Sequence, residues 1–159
     1  MHTSMPSLVF ASPIGPITIL RSGAVLARII VGGRHTGDRP SDDPLLAEAR
    51  SQLTRYFDDP AVPFQLPLAQ AATPRGQQLR EAMAAIGPGH TIAYGALARQ
   101  TGSSARAIGQ VCARNPFPIV IPCHRVLAAG GALGHYSAGD GIATKRWLLA
   151  HEGAERWDG

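Results

Sequence analysis

Residues 94–114 read Tyr94-Gly-Ala-Leu-Ala-Arg-Gln-Thr-Gly-Ser-Ser-Ala-Arg-Ala-Ile-Gly-Gln-Val-Cys-Ala-Arg114. Tyr94–Gln100 has the spacing of a short helix, Thr101-Gly-Ser-Ser104 breaks it, and Ala105–Arg114 resumes it with Ser104 placed as N-cap. Ala107, Ile108, Val111 and Cys112 fall on the face that would turn inward. Arg106 stands near the N-terminus of the second helix, where a recognition helix presents side chains to a DNA groove. Two short helices joined through a glycine predict a helix-turn-helix, although the spacing alone fits any helical hairpin.

Working outward, Pro116–Pro122 is a short apolar run between prolines and predicts a strand. Val126–Tyr136, with the turn Gly130-Gly131, predicts a hairpin, and Thr144–His151 predicts a last helix, so the outline is that of a winged helix. Upstream, Gln77–Ile86 predicts a helix that ends at Gly87-Pro88-Gly89. Residues 61–73 carry too much proline for a helix and read as an extended connector, which puts the domain boundary between 72 and 73. Before it, the runs 8–10, 17–20 and 25–31 are separated by turn residues and predict a small antiparallel meander. Residues 32–43 read as a polar loop. Asp43-Pro44 is a helix start, and Leu46, Ala49, Leu53 and Tyr56 or Phe57 recur at the spacing of one amphipathic helix laid over the meander.

Composition narrows the function. The 159 residues are 45% apolar, enough for a core, and no run approaches the roughly 18 apolar residues of a membrane span. The first sixteen residues lack a basic start and are broken by Pro6, Pro13 and Pro16, so no secretory signal is expected, and a cytoplasmic location is. Cys112 and Cys123 are too few for a disulfide scaffold and read as free thiols. The charge is lopsided: residues 74–125 hold six Arg against Glu81 alone, whereas the rest of the chain is close to neutral. Fourteen of the fifteen basic residues are Arg, whose planar fork suits phosphates and base edges, so the patch is either a nucleic-acid surface or a general preference for Arg.

The chemistry-bearing run is Pro122-Cys-His-Arg-Val126. A thiolate is a strong nucleophile near neutral pH, but an ordinary cysteine needs a base or a positive field to ionise. His124 offers the first and Arg125 the second. Neighbouring side chains on an extended chain diverge, so a Cys–His link needs a turn after Pro122 or a bridging water, and the water relay is the favoured arrangement. A carboxylate would steady the imidazole, and Glu81, Asp140, Glu152, Glu155 and Asp158 all remain open.

The segment Asn115-Pro-Phe-Pro-Ile-Val-Ile-Pro-Cys-His-Arg-Val126 closely resembles the active-site signature of the O6-alkylguanine-DNA alkyltransferases, the methylated-DNA–protein-cysteine methyltransferases. The likeness extends through Ser12–Thr18, Gly89–Ala98, Ala105–Gly109 and Trp147–Gly153. It implies an α/β N-terminal domain similar to ribonuclease H, residues 1–72, and a mainly helical winged-helix-like DNA-binding domain, residues 73–159. It implies Cys123 as alkyl acceptor, His124 as water-linked proton relay, Glu152 as the carboxylate behind it, and Tyr94 as the group that aids extrusion and stabilises the leaving base. The implied DNA-facing residues are Ala105, Arg106, Ala107, Gly109, Arg114 and Arg125, with Arg106 filling the gap left by the flipped base. Asn115 and Pro118 beside the reactive cysteine, and Tyr136 and Ser137 in the loop, complete the implied base pocket. The loop 138–142 is about two residues longer than the family pattern.

The expected activity is a single irreversible alkyl transfer from O6-alkylguanine in duplex DNA to Cys123, without cofactor or metal, by a monomer that could act cooperatively along DNA. Two other readings compete. A non-catalytic lesion-binding protein would lack an acceptor cysteine, and a Cys-His hydrolase would turn over esters or amides without preferring DNA.

Overall fold

The computed structural model describes residues 5–33 and 37–154, so Glu155 and Asp158, and the middle of the predicted 32–43 loop, lie outside the described residues. The chain divides into two compact units, residues 1–69 and 70–159.

In the first unit, β1 (Ser7–Ser12), β2 (Gly15–Ser22) and β3 (Val25–Val31) form an antiparallel sheet in that order. Ile17 and Ile19 of β2 are completely buried, as the two-residue period of a strand covered on one face requires. The cover is α1 (Pro44–Asp58), whose Leu46, Ala49, Leu53 and Tyr56 are buried. Asp43 starts it: Oδ1 accepts from the Leu45 and Leu46 amides at 3.0 and 3.1 Å, and Oδ2 accepts from Arg21 Nε at 2.7 Å. The proline-rich stretch after α1 is extended and anchored. The Gln52 side chain bonds both backbone groups of Gln65, and Leu26 exchanges hydrogen bonds with Pro67 and Ala69.

The second unit starts with α2 (Pro74–Ala84), three residues earlier than the apolar spacing predicts. Thr73 caps it through Oγ1 and the Gly76 amide, 3.0 Å, with Pro74 in the first turn. This is the same cap-then-proline signature that starts α1. Next come β4 (Ile92–Ala93), α3 (Tyr94–Thr101), α4 (Ala105–Ala113), β5 (Val126–Leu127) and α5 (Ile142–His151). Gly102 ends α3 in the left-handed conformation, φ 66°, and Ser104 Oγ accepts from the Ala107 amide at 3.1 Å to start α4. Helix-turn-helix geometry follows from these two residues.

Two local predictions are corrected. Pro116–Pro122 is a turn, because prolines at 116, 118 and 122 remove three ladder donors and Ile119 turns the chain with φ 76°. The Ile121 amide reaches back to Phe117 O at 2.9 Å. Val126–Tyr136 does not form a hairpin. Val126 and Leu127 pair in parallel with Ile92 and Ala93, and Ala128 closes the following loop onto Ala132 at 2.8 Å. Among the described residues no helix is long and apolar enough to cross a membrane.

Candidate active site

Asn115 sits just past the C-terminus of α4 and holds the turn. Its Oδ1 accepts from the Phe117 amide at 2.9 Å, while Nδ2 donates to Ile121 O at 2.8 Å and to Cys123 Sγ at 3.2 Å. One amide thus clamps both ends of the turn and touches the sulfur at its exit. Pro122, at φ −84° and ψ 64°, makes an inverse γ-turn closed by the Cys123 amide on Ile121 O, 2.8 Å. Residues 123–125 then coil as a single 3-10 turn. The extended geometry that would separate Cys123 from His124 is therefore absent.

His124 is fully buried. Its Nε2 lies 2.8 Å from Glu152 Oε2, and its Nδ1 has no hydrogen-bond partner among the described residues. Of the described carboxylates left open by sequence, Glu152 is the one brought to His124. Arg125 braces it, with Nε on Oε1 and Nη2 on Oε2, both at 2.8 Å, and Nη1 on Ile86 O. The resemblance puts Arg125 on the DNA face, but its guanidinium is turned inward and only 7% of the residue is exposed. A lone buried carboxylate is costly, and the planar fork neutralises it bidentately. Burial alone would raise the Glu152 pKa, yet the bonds from Arg125 and His124 hold it well below the carboxylate range. Burial likewise holds His124 below its ordinary value despite Glu152, so the imidazole is neutral.

Cys123 is 5% exposed but faces a cavity of about 690 Å3, a size within the range of small-molecule sites. Tyr94 and Gly95 of α3, Ala105, Arg106, Gly109 and Cys112 of α4, and Tyr136 and Ser137 of the following loop line it. The Cys123 sulfur and the arginine-bearing helix thus share one opening. The Cys123 thiol is lowered by the neighbouring Cys112 thiol and, against burial, by Asn115 and the charge of Lys145. Burial, helped by the two thiols, pushes the Tyr94 phenol up and keeps it protonated. Ala107 is half-buried and Arg114 is exposed at the end of α4. Pro118, implied for the base pocket, is buried in the turn and is not among the residues that line the cavity.

Two residues of the site escaped the sequence reading. Lys145 is completely buried, donating from Nζ to Val126 O at 2.8 Å and His135 O at 3.4 Å. The signal was present, since it is the only lysine in a chain that otherwise uses Arg. Cys112, read as core packing, also reaches the cavity.

Residues 7–70 match the family described as 6-O-methylguanine DNA methyltransferase, ribonuclease-like domain, and residues 74–154 match the DNA binding domain of the same family. The chain belongs to the 6-O-methylguanine DNA methyltransferase family. It is 37% identical over 147 residues to the methylated-DNA–protein-cysteine methyltransferase of Mycobacterium leprae, covering 89% of this chain and 88% of that protein. The Mus musculus methyltransferase is 43% identical over 117 residues, 68% of this chain and 55% of the mouse protein. Among solved structures, Mycobacterium tuberculosis OGT in complex with DNA superposes with a TM-score of 0.77 at 35% identity, covering 91% of each chain. The ribonuclease-like and helix-turn-helix parts of this family therefore account for both units, and a non-catalytic lesion binder is not favoured.

Proposed function

We propose that this protein repairs O6-alkylguanine in duplex DNA by moving the alkyl group irreversibly onto Cys123, once per molecule. The observation that carries the reading is the Cys123 sulfur opening into a cavity of about 690 Å3 beside the exposed N-terminal half of a helix-turn-helix second helix. Binding names in the family support DNA as the partner, and a free thiol fits a reducing, cytoplasmic setting.

An alkylated O6 is unreachable inside stacked DNA, so the base must leave the helix, at a cost of a few kcal/mol. Arg106 is exposed at the start of α4 and enters the gap. Ala105 and Gly109 lie one turn apart on α4 and let the DNA backbone approach closely. A Cβ at Gly109 would meet nothing within the protein, so its lack of a side chain is not for internal packing. Arg114 contacts phosphate.

In the cavity, the Cys123 proton passes toward His124 through a water seated on Nδ1, and Glu152 stabilises the imidazolium. The thiolate attacks the alkyl carbon. As the S–C bond forms, the C–O6 bond breaks and its electron pair stays with guanine, whose charge the Tyr94 phenol relieves by donating a proton. Tyr136 and Ser137 wall the base. The thioether product has no group poised to reverse it, which makes the protein single-turnover.

The test is intact mass after exposure to an O6-methylguanine duplex. One added methyl on the Cys123 peptide is expected; folded protein of unchanged mass would reject the reading.

A further inference from the structure

The DNA contacts above use arginines of α4 and leave the one on α3 without a role. Arg99 stands in the last turn of α3 and is exposed. A cation there ordinarily serves the C-terminal carbonyls of its own helix, but those are taken. Thr101 O accepts from Arg75 Nη2 at 2.8 Å, and the amides of Gly102 and Ser103 return to Arg99 O and Ala98 O at 3.4 and 2.8 Å. The Arg99 side chain runs the other way, one turn back, and its Nη1 lies 3.5 Å from the position a Cβ on Gly95 would occupy. Long helical side chains lean over the turn N-terminal to them. Here that turn is the rim of the cavity that Cys123 faces, since Tyr94 and Gly95 line it. Among the described residues Arg99 makes no ion pair and no side-chain hydrogen bond.

Gly95 has no backbone reason to be glycine. It lies within α3 without a positive φ, and glycine weakens a helix relative to alanine. A methyl group there would meet only the tip of Arg99, at ordinary contact distance. What the glycine leaves open is the space beside the guanidinium at the rim. On α4, Arg106 and Gly109 belong to the same cavity wall, so each of the two helices brings a cation and a glycine to the opening.

An extruded nucleotide turns by roughly 180° about its backbone, and a base lodged in the cavity leaves its own phosphodiester at the rim. The two free oxygens of that anion match the planar fork of a guanidinium. Stacked DNA keeps the group turned away, so the contact forms only on extrusion.

We propose that Arg99 is a positioning residue for alkyl transfer: its guanidinium, lying over Gly95, clamps the backbone phosphodiester of the extruded nucleotide and holds the base in the cavity. The proposal rests on the flipped-base reading of that cavity. Arg106 fills the gap in the duplex, and Arg99 holds what came out of it. Arg99 therefore adds to the preference for damaged over intact duplex, whereas Arg114 adds to the binding of any duplex.

The experiment makes two measurements on the full chain, with Arg99→Gln and Arg99→Lys beside wild type and thermal melting to confirm that each is folded. The first is the methyl-transfer rate at saturating O6-methylguanine duplex, set beside the rate with free O6-methylguanine. The second uses a Cys123→Ala background, where no transfer occurs, and compares affinity for the O6-methylguanine duplex with affinity for the undamaged duplex of the same sequence. In Arg99→Gln the duplex rate and the affinity ratio should each fall about tenfold, the order expected for a lost charge-assisted hydrogen bond, with the free-base rate and the undamaged-duplex affinity unchanged. Arg99→Lys keeps the charge and loses the fork, so it should fall between glutamine and wild type. A folded Arg99→Gln that keeps the wild-type ratio or duplex rate, that loses affinity for both duplexes equally, or that slows equally on free base overturns the proposal, as does a wild-type protein with no preference for the damaged duplex. If wild type takes no methyl, the alkyl-acceptor reading fails, while the affinity ratio, which involves no transfer, still decides the clamp.

Discussion

Arg125 lies across the Glu152 carboxylate with both oxygens engaged, Nε to Oε1 and Nη2 to Oε2 at 2.8 Å each. The residue that follows His124 in sequence thus braces, in space, the carboxylate that meets the His124 ring. Removing one member of a buried pair leaves the other charged and unsolvated, which typically costs about 3–5 kcal/mol. Glu152→Gln should destabilise the fold by that order in urea titration and slow methyl transfer, because His124 also loses its charged partner. A neutral effect on stability would show the pair to be dispensable.

Arg125 and the exposed arginines should separate cleanly in DNA binding. Arg114→Ala should lower the slope of log affinity against log salt by about 1, as expected for one phosphate contact, whereas Arg125→Met should leave the slope alone and lower stability. Arg106→Ala should slow transfer from duplex DNA far more than reaction with the free alkylated base. Equal losses on both substrates would contradict its insertion into the helix.

Stability should fall in acid, starting earlier than carboxylates alone would dictate. His124 is held below its ordinary 6.5 by burial, and Glu152 below its ordinary 4.5 by its two partners. In both cases the unfolded chain takes up its proton at a higher pH than the folded one. Their stabilising effect is complete above 6.5 and is lost stepwise as pH drops, first through His124 and then below 4.5 through Glu152. Thermal melting between pH 7.5 and 4 measures this, and a flat midpoint across that range would contradict the burial of a neutral imidazole.

Ile119 should invert a familiar ranking of substitutions. It is buried, yet its φ of 76° lies in the left-handed region, where a β-branched residue is strained by about 1–2 kcal/mol. Alanine removes the buried side chain and keeps the backbone penalty, whereas glycine removes both. Ile119→Gly should therefore be the more stable of the two by about 1 kcal/mol in chemical denaturation. If Ile119→Ala is the more stable, the strain is absent.

Local signals were legible wherever physics acts within a few residues. The alternation of β2, the Asp43-Pro44 start of α1, and the Gly102 and Ser104 that end one helix and begin the next all appear in the chain as written. The same rule also marked Thr73-Pro74, but the spacing of apolar residues drew the predicted start three residues inward. The prolines at 116, 118 and 122 argued against a strand as plainly as any signal in the sequence, and the apolar residues between them misled because burial in a turn and burial in a sheet use the same side chains.

By itself the sequence determined the two-part architecture and singled out Cys123 and His124 as candidates, because caps, turns and the run from Asn115 to Val126 are contiguous. Only the tertiary structure decided which way Arg125 turns, that the single lysine is buried, and that Cys112 lines the same cavity as Cys123. The reason is physical: the sign of a charge is written in the chain, but whether it faces water or a buried carboxylate depends on which distant segment packs against it. Glu152 and Cys112 are 27 residues beyond Arg125 and 11 before Cys123, and the folded chain alone brings those pairs together.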